Sequence, residues 1–409
     1  MLDINLIREK TDEVKTALLK RLKSVDLETI LKLDDERKNL ITKVDEMKAS
    51  RNKGSKGRPT PEEIEKMKTL GDEIKKLDEE LKTVETNLKE KISELPNIPA
   101  DDVPAGGKEA NQVVKTFGKK PKFEFEPKDH VELATSLGLI DYERAAKMSG
   151  NGFWIYKGDG ALLEWALLNY FIEFHRNNGY TFIIPPYLLN EDSAYVSGHL
   201  PKFRDDLYWT QDGNCLNATS EMMLGNYHRN EILDSETLPI KYYAYSTCFR
   251  REAGSYRKEE RGMIRGHQFN KIEMFNFTTE DKSWEAFDEM VGYVEKLTEG
   301  LGLHYQTSLL SAGDASAAMA KTMDIEVWIP SMNIYKEVSS ASNALDYQAR
   351  RGNVRYKTEE GNKFVHTLNA SGLATSRLIP AILEQFQQED GSVLVPEVLQ
   401  KFLGKKVLK

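Results

Sequence analysis

Residues Tyr242 to Phe277 read YYAYSTCFRREAGSYRKEERGMIRGHQFNKIEMFNF, and the rest of the chain is interpreted outward from this stretch. Tyr242 to Phe249 is rich in aromatic and β-branched residues, and Gln268 to Phe277 alternates in side-chain type, so both segments predict β-strands. Ala253 to Gly262 between them carries charges and turn residues. The stretch therefore predicts a long antiparallel hairpin with a charged loop.

Charged and aromatic side chains are predicted to meet on one face of this hairpin, because side chains alternate across a strand. That face collects Cys248, Arg250 and Glu252 from the first strand and Phe269, Lys271, Glu273 and Phe275 from the second. Ionic groups on a partly buried face are costly unless they are partnered, which makes the face a candidate floor for a charged, planar ligand. The alternative is a solvated hairpin whose charges keep an edge strand soluble.

Composition and charge argue against several classes of protein. The formal net charge of −8 disfavours general binding to nucleic acid, so an RNA partner must be met by local basic patches. The two cysteines, Cys215 and Cys248, and the scattered histidines lack the spacing of a disulfide framework or a zinc site. The longest apolar run, Ala161 to Phe174, is interrupted by charged and polar residues, so no segment is expected to span a membrane. The N-terminus MLDINLIREK lacks the apolar core of a secretory signal, and we expect a cytoplasmic protein.

The N-terminal part of the chain predicts two long helices that pack against each other. A short amphipathic helix is expected over residues 1–23. Beyond it, apolar residues recur at spacings of three and four, as in a coiled coil, with one charged break at Arg37. This seam comprises Ile30, Leu33, Arg37, Leu40, Val44 and Met47, then Met67, Leu70, Ile74, Leu77, Leu81, Val84 and Leu88. Thr60-Pro61-Glu62-Glu63 predicts the start of the second helix, and Pro96 and Pro99 its end. The short connection predicts an antiparallel hairpin projecting on the order of 45 to 50 Å.

The tip of this hairpin is basic, and no acidic residue lies between its basic residues. These are Lys48, Arg51, Lys53, Lys56 and Arg58. Clustered cations suit a nucleic-acid backbone, so the tip is a candidate phosphate contact; the alternative is an ordinary solvated loop.

The remaining pattern predicts an α+β fold in which an antiparallel sheet is flanked by helices. Further strands are predicted at Ile325 to Ile329, Ile334 to Val338 and Phe364 to Leu368, and helices at Glu221 to Leu233, Trp284 to Leu301 and Leu378 to Gln387. We expect an N-terminal domain over residues 1–100, a linker rich in proline, glycine and charge over 101–130, and a catalytic domain over 131–409.

Four segments resemble the seryl-tRNA synthetases of class II. FRREAGSYRKEERGMIRGHQF resembles motif 2 in the form FRxEAGS…RGxIRxHQF, and TLNASGLATSR resembles motif 3. The predicted helix Leu162 to His175, the strand Tyr180 to Ile184 and Pro185-Pro186 resemble motif 1, which forms the dimer interface in this class, although an ordinary core helix and edge strand fit as well. The N-terminal hairpin resembles the arm that grips the long variable arm of tRNA(Ser) in the bacterial-type enzymes. The resemblance extends from MLDINLIREK to DGSVLVPEVLQKF, and it implies a class II catalytic domain with a coiled-coil arm.

The resemblance implies roles for the hairpin residues in holding ATP. Arg250 matches the motif 2 arginine that bridges the α-phosphate and the amino-acid carboxylate, and a planar guanidinium pairs well with two oxyanions. Glu252 matches the acid that meets the adenine amino group. Phe269 matches the aromatic beneath adenine, and Arg377 the motif 3 arginine above it and near the γ-phosphate; taken alone, Arg377 would be assigned to a structural salt bridge. Arg251 is also expected in the ATP site.

A second ATP segment is Glu337-Val338-Ser339-Ser340, which matches the EVSS stretch of the family. The resemblance implies that Glu337, together with Ser340, holds Mg²⁺, which prefers hard oxygen ligands, and that the following residues line the ATP pocket. Without the resemblance, an edge strand is the better interpretation of these four residues.

The serine site is implied by Thr219-Ser220-Glu221, which stands where the family has Thr-Ala-Glu. Glu221 offers a carboxylate to the serine ammonium group, with Thr219 and Arg250 alongside, although T-S-E before a helix is more often a cap. Glu273, helped by Ser371, accepts a hydrogen bond from the serine hydroxyl. Such a pocket rejects alanine because buried polar groups would lose their partner, and it must exclude threonine sterically.

The chain departs from the family pattern at several places. Ser220, Asn217-Ala218, Ala344, Ala370 and Ser376 replace the usual residues. Ser376 replaces a glycine that permits close backbone packing. The loop Tyr256 to Glu260 is bulkier and more charged than the usual form, which bears on contacts with the tRNA acceptor stem.

The resemblance thus implies a homodimer of the seryl-tRNA synthetase family that uses ATP and Mg²⁺, activates L-serine as seryl-adenylate and charges tRNA(Ser), with tRNA(Sec) as a second candidate partner. Two alternatives remain open. One is a related ligase that transfers an activated amino acid to a carrier protein, although such relatives lack the long arm. The other is a non-catalytic RNA-binding module on the same scaffold.

Overall fold

A computed structural model describes residues 1–54, 60–253 and 262–409, apart from the side chains of Lys53 and Glu63. The chain divides into two compact units, Met1–Ile98 and Pro99–Lys409. Within the described ranges, no helix combines the length and the apolar composition needed to cross a bilayer.

The first unit is helical. Its helices are α1 (Ile4–Glu9), α2 (Thr11–Leu18), α3 (Glu28–Gly54) and α4 (Pro61–Glu94). The single helix expected over residues 1–23 is therefore two short helices. By contrast, α4 begins at Pro61 as predicted, because proline is well tolerated in the first helical turn. The long helices α3 and α4 form the predicted coiled-coil arm, and the 34 residues of α4 span about 50 Å.

The arm is held together by the predicted apolar seam and, at its base, by a buried acid. Ile30, Leu40, Val44, Ile74, Val84 and Leu88 are all buried. The charged break at Arg37 is explained by Asp34, which is 1% exposed and accepts hydrogen bonds from Arg37 Nη2 at 2.8 Å and Arg8 Nη2 at 2.7 Å. Burial alone would raise the pKa of Asp34, but these hydrogen bonds outweigh it and lower the pKa to about 2. The carboxylate therefore stays charged and fastens α1 to the base of α3.

An eight-stranded sheet forms the centre of the second unit. Its strands are β1 (Gln112–Phe117), β2 (Thr181–Ile183), β3 (Ile240–Phe249), β4 (Gln268–Thr278), β5 (Tyr305–Leu309), β6 (Lys321–Ile329), β7 (Ile334–Leu345) and β8 (His366–Ala374). The strand order is β1-β5-β6-β7-β8-β4-β3-β2. All neighbours are antiparallel except β2 and β3, so the predicted α+β class with an antiparallel sheet is confirmed.

Strand β1 lies within the segment expected to be a plain linker. It pairs with β5 from Gln112 to Phe117 and forms one edge of the sheet. The proline, glycine and charge of residues 101–130 indicate loops, but an exposed edge strand needs no apolar alternation to pair through its backbone. Part of the expected linker therefore belongs to the sheet.

Helices and short strands surround this sheet. The helices are α5 (His130–Ser136), α6 (Tyr142–Ser149), α7 (Asp159–Asn177), α8 (Glu191–Val196), α9 (Glu221–Leu224), α10 (Ser283–Gly300), α11 (Tyr347–Gly352), α12 (Thr375–Gln385) and α13 (Glu397–Leu403). The short strands are Ile140–Asp141, Ile155–Tyr156, Leu188–Leu189, Cys215–Leu216, Ile232–Leu233, Arg355–Thr358, Gly361–Phe364, Val393–Leu394 and Val407–Leu408.

The two faces of the sheet differ in character because side chains alternate along each strand. Ile272 and Met274 of β4 join the main apolar core with residues of α7, α10 and α12. Lys271 and Glu273 point to the opposite face. Helices thus cover one face, and polar groups remain on the other.

The helix predicted from Glu221 to Leu233 is wrong over most of its length. It ends at Leu224 after a single turn. Asn230 adopts a left-handed φ of 66°, and Ile232–Leu233 instead pairs in parallel with Arg355–Thr358. Tertiary pairing overrides helical propensity here.

Candidate active site

A cavity of about 450 Å³ opens over the polar face of the sheet. Its wall is formed by the ends of β3 and β4, by β7 and β8, and by the segments that follow α8 and precede α9. A smaller cavity of about 50 Å³ adjoins it on the side of α12. The two share Arg250, Glu252, Arg265, Lys271, Glu337 and Ser371 as lining residues.

Lys271 and Glu273 form a buried ion pair on the floor of the larger cavity. Both come from β4, and the lysine ammonium also donates to Thr219 Oγ1 at 2.8 Å. Ser371 Oγ and Asn369 Nδ2 each approach the Glu273 carboxylate at 3.4 Å from the neighbouring strand β8. Buried charges are stabilised only when they are paired in this way. Thr219, Glu273 and Ser371, predicted for the serine site, therefore lie together.

Glu221 forms another part of the wall and is almost fully buried. Its carboxylate Oε1 accepts from Gln348 Nε2 at 2.6 Å. Burial, and then the charge of Glu273, raises the pKa of Glu221 to about 7. The carboxylates of Glu273 and Glu221 are thus held differently, the first by an ion pair with Lys271 and the second by a hydrogen bond from a neutral amide.

Arg250 lies where the two cavities meet. The hairpin pattern predicted that Arg250 and Glu252 belong to the first strand. Strand β3 ends at Phe249, so both residues follow the strand instead. The Arg250 Nε donates to the Ala218 carbonyl at 3.2 Å, and the guanidinium carbon lies 5.2 Å from the Phe269 ring centre. The guanidinium is thereby held near the Phe269 ring at the wall that the two cavities share.

Glu252 is held by the segment on the other side of the loop. It forms an ion pair with Arg265 and adopts a left-handed φ of 51°. The next residue, Ala253, donates its N–H to Asp206 Oδ1 at 2.8 Å. The side chain of Arg251 is exposed, and among the described residues it does not contribute to either cavity wall. The loop residues Tyr256 to Glu260 lie outside the described residues.

Arg377 and Phe269 line the smaller cavity together. Arg377 Nη1 donates to the Glu337 carbonyl at 2.7 Å and lies 3.5 Å from the Glu337 carboxylate. Its Nε donates to the Ile264 carbonyl at 3.3 Å. The first turn of α12 and strand β7 thus fix this guanidinium above the same space that Phe269 borders.

The segment Glu337 to Ser340 on β7 contributes three of its four residues to the cavity walls. Glu337 lines both, Val338 the smaller and Ser340 the larger. Ser339 is buried behind the wall and donates to the Ser371 carbonyl at 2.5 Å. Ser340 donates to Asp324 Oδ1 at 2.5 Å from the facing strand β6. Burial, and then the charge of Glu337, raises the pKa of Asp324 well above its usual value.

The unusual residues before α9 form a buried hydrogen-bonded cluster with β3. Asn217 Nδ2 donates to Ser246 Oγ at 3.1 Å and to the Thr247 carbonyl at 3.0 Å. Ser220 Oγ donates to the same Ser246 Oγ at 2.7 Å. These contacts tie the segment that carries Thr219 to the sheet. Ala344 and Ala370 are buried, and Ser376 fits at the wall of the smaller cavity with 6% exposure.

Several residues in the cavity wall or behind it were not among the predicted ligands. Lys271 was placed on the correct face by strand alternation but received no role. Gln348, Asp324, Asn369 and Arg265 come from α11, β6, β8 and the loop, and their side chains reach the site only through tertiary contacts. Of the side chains expected on the ligand floor, Cys248 and Phe275 are fully buried instead, and Phe275 packs with Leu224 and Phe277.

The arm tip is described only in part. Lys48 forms an ion pair with Asp78 across the hairpin at 3.1 Å, and Arg51 is exposed. The side chain of Lys53 and all of Lys56 and Arg58 lie outside the described residues.

Comparisons with known proteins agree with this architecture. A family model for the class II tRNA synthetase core domain (G, H, P, S and T) matches residues 208–386. The crystal structure of seryl-tRNA synthetase from Pyrococcus horikoshii complexed with ATP is similar with a TM-score of 0.93 and 35% identity, covering 100% of this chain and 99% of that one. The fold is that of a class II aminoacyl-tRNA synthetase.

Full-length relatives define the family within this class. A model for the seryl-tRNA synthetase N-terminal domain matches residues 1–99. Serine–tRNA ligase 2 of Clostridium acetobutylicum is 54% identical and the serine–tRNA ligase of Petrotoga mobilis 45% identical, each alignment covering 100% of both chains. This chain belongs to the seryl-tRNA synthetase family.

Proposed function

We propose that this protein activates L-serine with ATP and transfers the seryl group to tRNA(Ser). The observation that carries the proposal is the position of Arg250, which lines both adjoining cavities. One cavity offers carboxylates and hydroxyls suited to a small amino acid, and the other offers an aromatic ring and an arginine suited to a nucleotide. A guanidinium between them can pair with an oxyanion from each ligand.

The larger cavity is proposed to bind serine. The Glu221 carboxylate meets the ammonium group of serine, with Thr219 alongside. The serine hydroxyl donates to Glu273 beside Ser371. Because Lys271 contacts both Glu273 and Thr219, it orients the Glu273 carboxylate. Alanine would leave Glu273 without its hydroxyl partner, which is the physical basis for rejecting it.

The smaller cavity is proposed to bind the adenine of ATP. Phe269 stacks against one face of the base, Arg377 covers the other and approaches the γ-phosphate, and Glu252 meets the exocyclic amino group. Val338 borders the same space. Ser339 supports the wall from behind. Arg251 lines neither cavity, so its part in binding ATP stays a prediction.

Mg²⁺ is proposed to accompany ATP at Glu337 and Ser340. Both side chains line the larger cavity and offer the carboxylate and hydroxyl oxygens that this ion prefers, so the donor set fits. An ion held by Glu337 and Ser340 would supply positive charge that neutralises the phosphates of ATP.

The protein's part in the reaction is placement and charge neutralisation. A carboxylate oxygen of serine attacks the α-phosphorus, the bond to the bridging oxygen of the pyrophosphate breaks, and pyrophosphate leaves. Arg250 holds the two reacting oxyanions at contact distance, which their mutual repulsion would otherwise oppose. In the second step, a hydroxyl of the terminal tRNA ribose attacks the acyl carbon, and AMP leaves.

We further propose that the arm binds the tRNA through Lys48, Arg51, Lys53, Lys56 and Arg58, and that the active protein is a cytoplasmic homodimer. Exposed apolar side chains on α7 and beside β2 support a partner surface: Leu162, Trp165, Phe182, Ile184 and Leu188. Strand β2 is also an edge of the sheet, a feature that soluble proteins usually cover.

The first test is serine-dependent exchange of pyrophosphate into ATP, followed by acylation of tRNA(Ser). Exchange with serine that exceeds exchange with alanine, glycine and threonine is expected, and acylation of tRNA(Sec) under the same conditions tests the second candidate partner. A pure, folded protein that shows neither exchange nor acylation would refute the proposal.

Replacing the central arginine tests the proposed role of Arg250. Arg250→Ala should reduce exchange by about 100- to 1,000-fold, because both oxyanions lose their shared cation. Arg250→Lys should recover only part, since an ammonium lacks the planar fork. Arg144→Ala, at a surface ion pair with Asp141, is the control and should exchange normally. Wild-type rates in Arg250→Ala would contradict the role.

A further inference from the structure

Gln348 lies behind the cavity wall and contacts three of the segments that build it. It is the second residue of α11 and is 2% exposed. Its Nε2 donates to Glu221 Oε1 at 2.6 Å and to the Ser197 carbonyl at 3.0 Å, and its Oε1 accepts from Thr367 Oγ1 at 2.7 Å. The segment after α8, helix α9 and strand β8 therefore meet at one amide.

These partners leave the amide only one orientation. Rotating it by 180° would direct its oxygen at the Ser197 carbonyl and the Glu221 carboxylate, which can only accept, and its NH₂ group at the Thr367 hydroxyl. All hydrogen-bonding groups of the amide are used in the observed orientation. A fully satisfied buried amide is rigid, so it fixes what it holds.

The group it holds is the carboxylate proposed to meet the serine ammonium. Gln348 occupies Oε1 of Glu221, and no donor contacts Oε2 among the described residues. We propose that Gln348 is a positioning residue that keeps Glu221 ionised and presents its second oxygen to the amino-acid ammonium group. This inference rests on the proposed function, because the ammonium is that of the substrate.

The charges around Glu221 explain why such support matters. Glu273 on β4 disfavours a second negative charge, whereas Lys271 on β4 and Arg250 after β3 favour it. His199, which also lines the cavity, has its pKa lowered to about 3 by burial and by Arg250 and Lys271, so it is neutral near pH 7. The Gln348 N–H is thus a neutral donor that favours the charged form of Glu221 without adding a competing cation.

Gln348→Met tests the proposal, since methionine keeps the volume but removes both donors. The Michaelis constant for serine in pyrophosphate exchange should rise about 10- to 100-fold, the loss expected for one hydrogen bond to a charged group, while that for ATP changes less than about twofold. Activity with serine should fall as the pH drops through the pKa of Glu221, which is about 7. The midpoint of kcat/KM for serine should move to higher pH in the variant, because the carboxylate becomes harder to ionise.

Two further variants separate positioning from folding. Thr367→Val leaves Glu221 and Gln348 in place but removes the hydroxyl that orients the amide, and it should raise the Michaelis constant for serine by about two- to fivefold. Gln385→Met removes a similarly satisfied buried amide on α12, remote from Glu221. The Gln385 amide accepts from the His304 backbone N–H and donates to the Trp328 carbonyl. It should lower the melting temperature without changing the constant for serine or the pH midpoint.

The outcomes distinguish this inference from the proposed function. Wild-type exchange with serine establishes the function independently of Gln348. Suppose that the wild type is active and Gln348→Met keeps the wild-type Michaelis constant for serine and the wild-type pH midpoint; the inference is then wrong. It is also wrong if the variant loses kcat equally for both substrates with no pH shift, because Gln348 is then structural only. The selective serine effect with the pH shift supports it.

Discussion

Gly372 shows how closely the site is packed against the core behind it. It follows Ser371 on β8, and a Cβ added there would lie 2.4 Å from His175 Nε2 and 3.1 Å from Ile272 Cγ2. His175 is fully buried, and burial lowers its pKa to about 3, so the ring is neutral. The small residue therefore allows the backbone that carries Ser371 to approach α7.

Gly372→Ala should destabilise the protein by about 1 to 3 kcal/mol, because the extra methyl must displace a buried ring. The first measurement is the unfolding transition in urea. The second is the Michaelis constant for serine in the exchange assay, and this constant should rise because Ser371 shifts. Gly292→Ala on α10 is the matched control, because a Cβ added there meets no neighbouring atom within 4 Å. Alanine in place of glycine in a helix should stabilise the protein by about 0.5 to 1 kcal/mol. Equal transitions for the two variants would contradict the packing argument.

At the scale of elements, helices α3 and α4 contribute no residue to the walls of the two cavities. Every residue that lines either cavity belongs to the second unit, between residues 197 and 377. The arm has an apolar seam with one charged break, and a buried acid lies at its base. Its proposed use is contact with tRNA.

Deleting Lys32 to Lys89 and closing the gap should leave serine-dependent exchange within a few-fold of the wild type. Acylation of tRNA(Ser) should fall strongly, and its dependence on salt should become shallower, because fewer phosphates are neutralised. Both are measured on one preparation, so the exchange rate serves as the control for folding. An equal loss in exchange and acylation would mean that the arm supports the fold instead.

Local patterns predicted the long elements well and the short ones poorly. The periodic seams of α3 and α4 and the alternation in β4 are repeated over many residues, which makes them reliable. The segment after Leu224 lacks such repetition, and its pairing with Arg355–Thr358 depends on a strand more than 100 residues away. Arg250 and Glu252 likewise leave the strand because the segment after Phe249 bonds to Asp206.

At the scale of the whole molecule, the surface of α7 and β2 is proposed to be a dimer interface. Trp165 is 54% exposed and Ile184 72% exposed. The opposite side of α7 is tied to the site, since Glu164 Oε1 accepts from Asn270 Nδ2 at 2.8 Å and Thr375 Oγ1 at 2.7 Å. Helix α7 thus lies between the proposed partner and the residues that precede Arg377.

Trp165→Ser combined with Ile184→Asp should shift the protein from dimer to monomer, because the buried apolar area of the interface is lost and a charge is introduced. Sedimentation velocity at several concentrations measures the shift. Leu394→Asp, at a position 45% exposed and outside this surface, is the control and should remain dimeric. If the wild type sediments as a monomer, the proposed interface is wrong.

The sequence by itself determined the class of fold, the two-helix arm and the family, because these depend on periodicity and on motifs that are local in the chain. It also named Arg250, Glu273, Glu337 and Arg377 as candidates. Only the tertiary structure placed Lys271 against Thr219, Asp324 behind Ser340 and Gln348 behind Glu221. Such contacts join strands and helices far apart in sequence, and their hydrogen bonds form only after the sheet has brought the side chains within about 3 Å of each other.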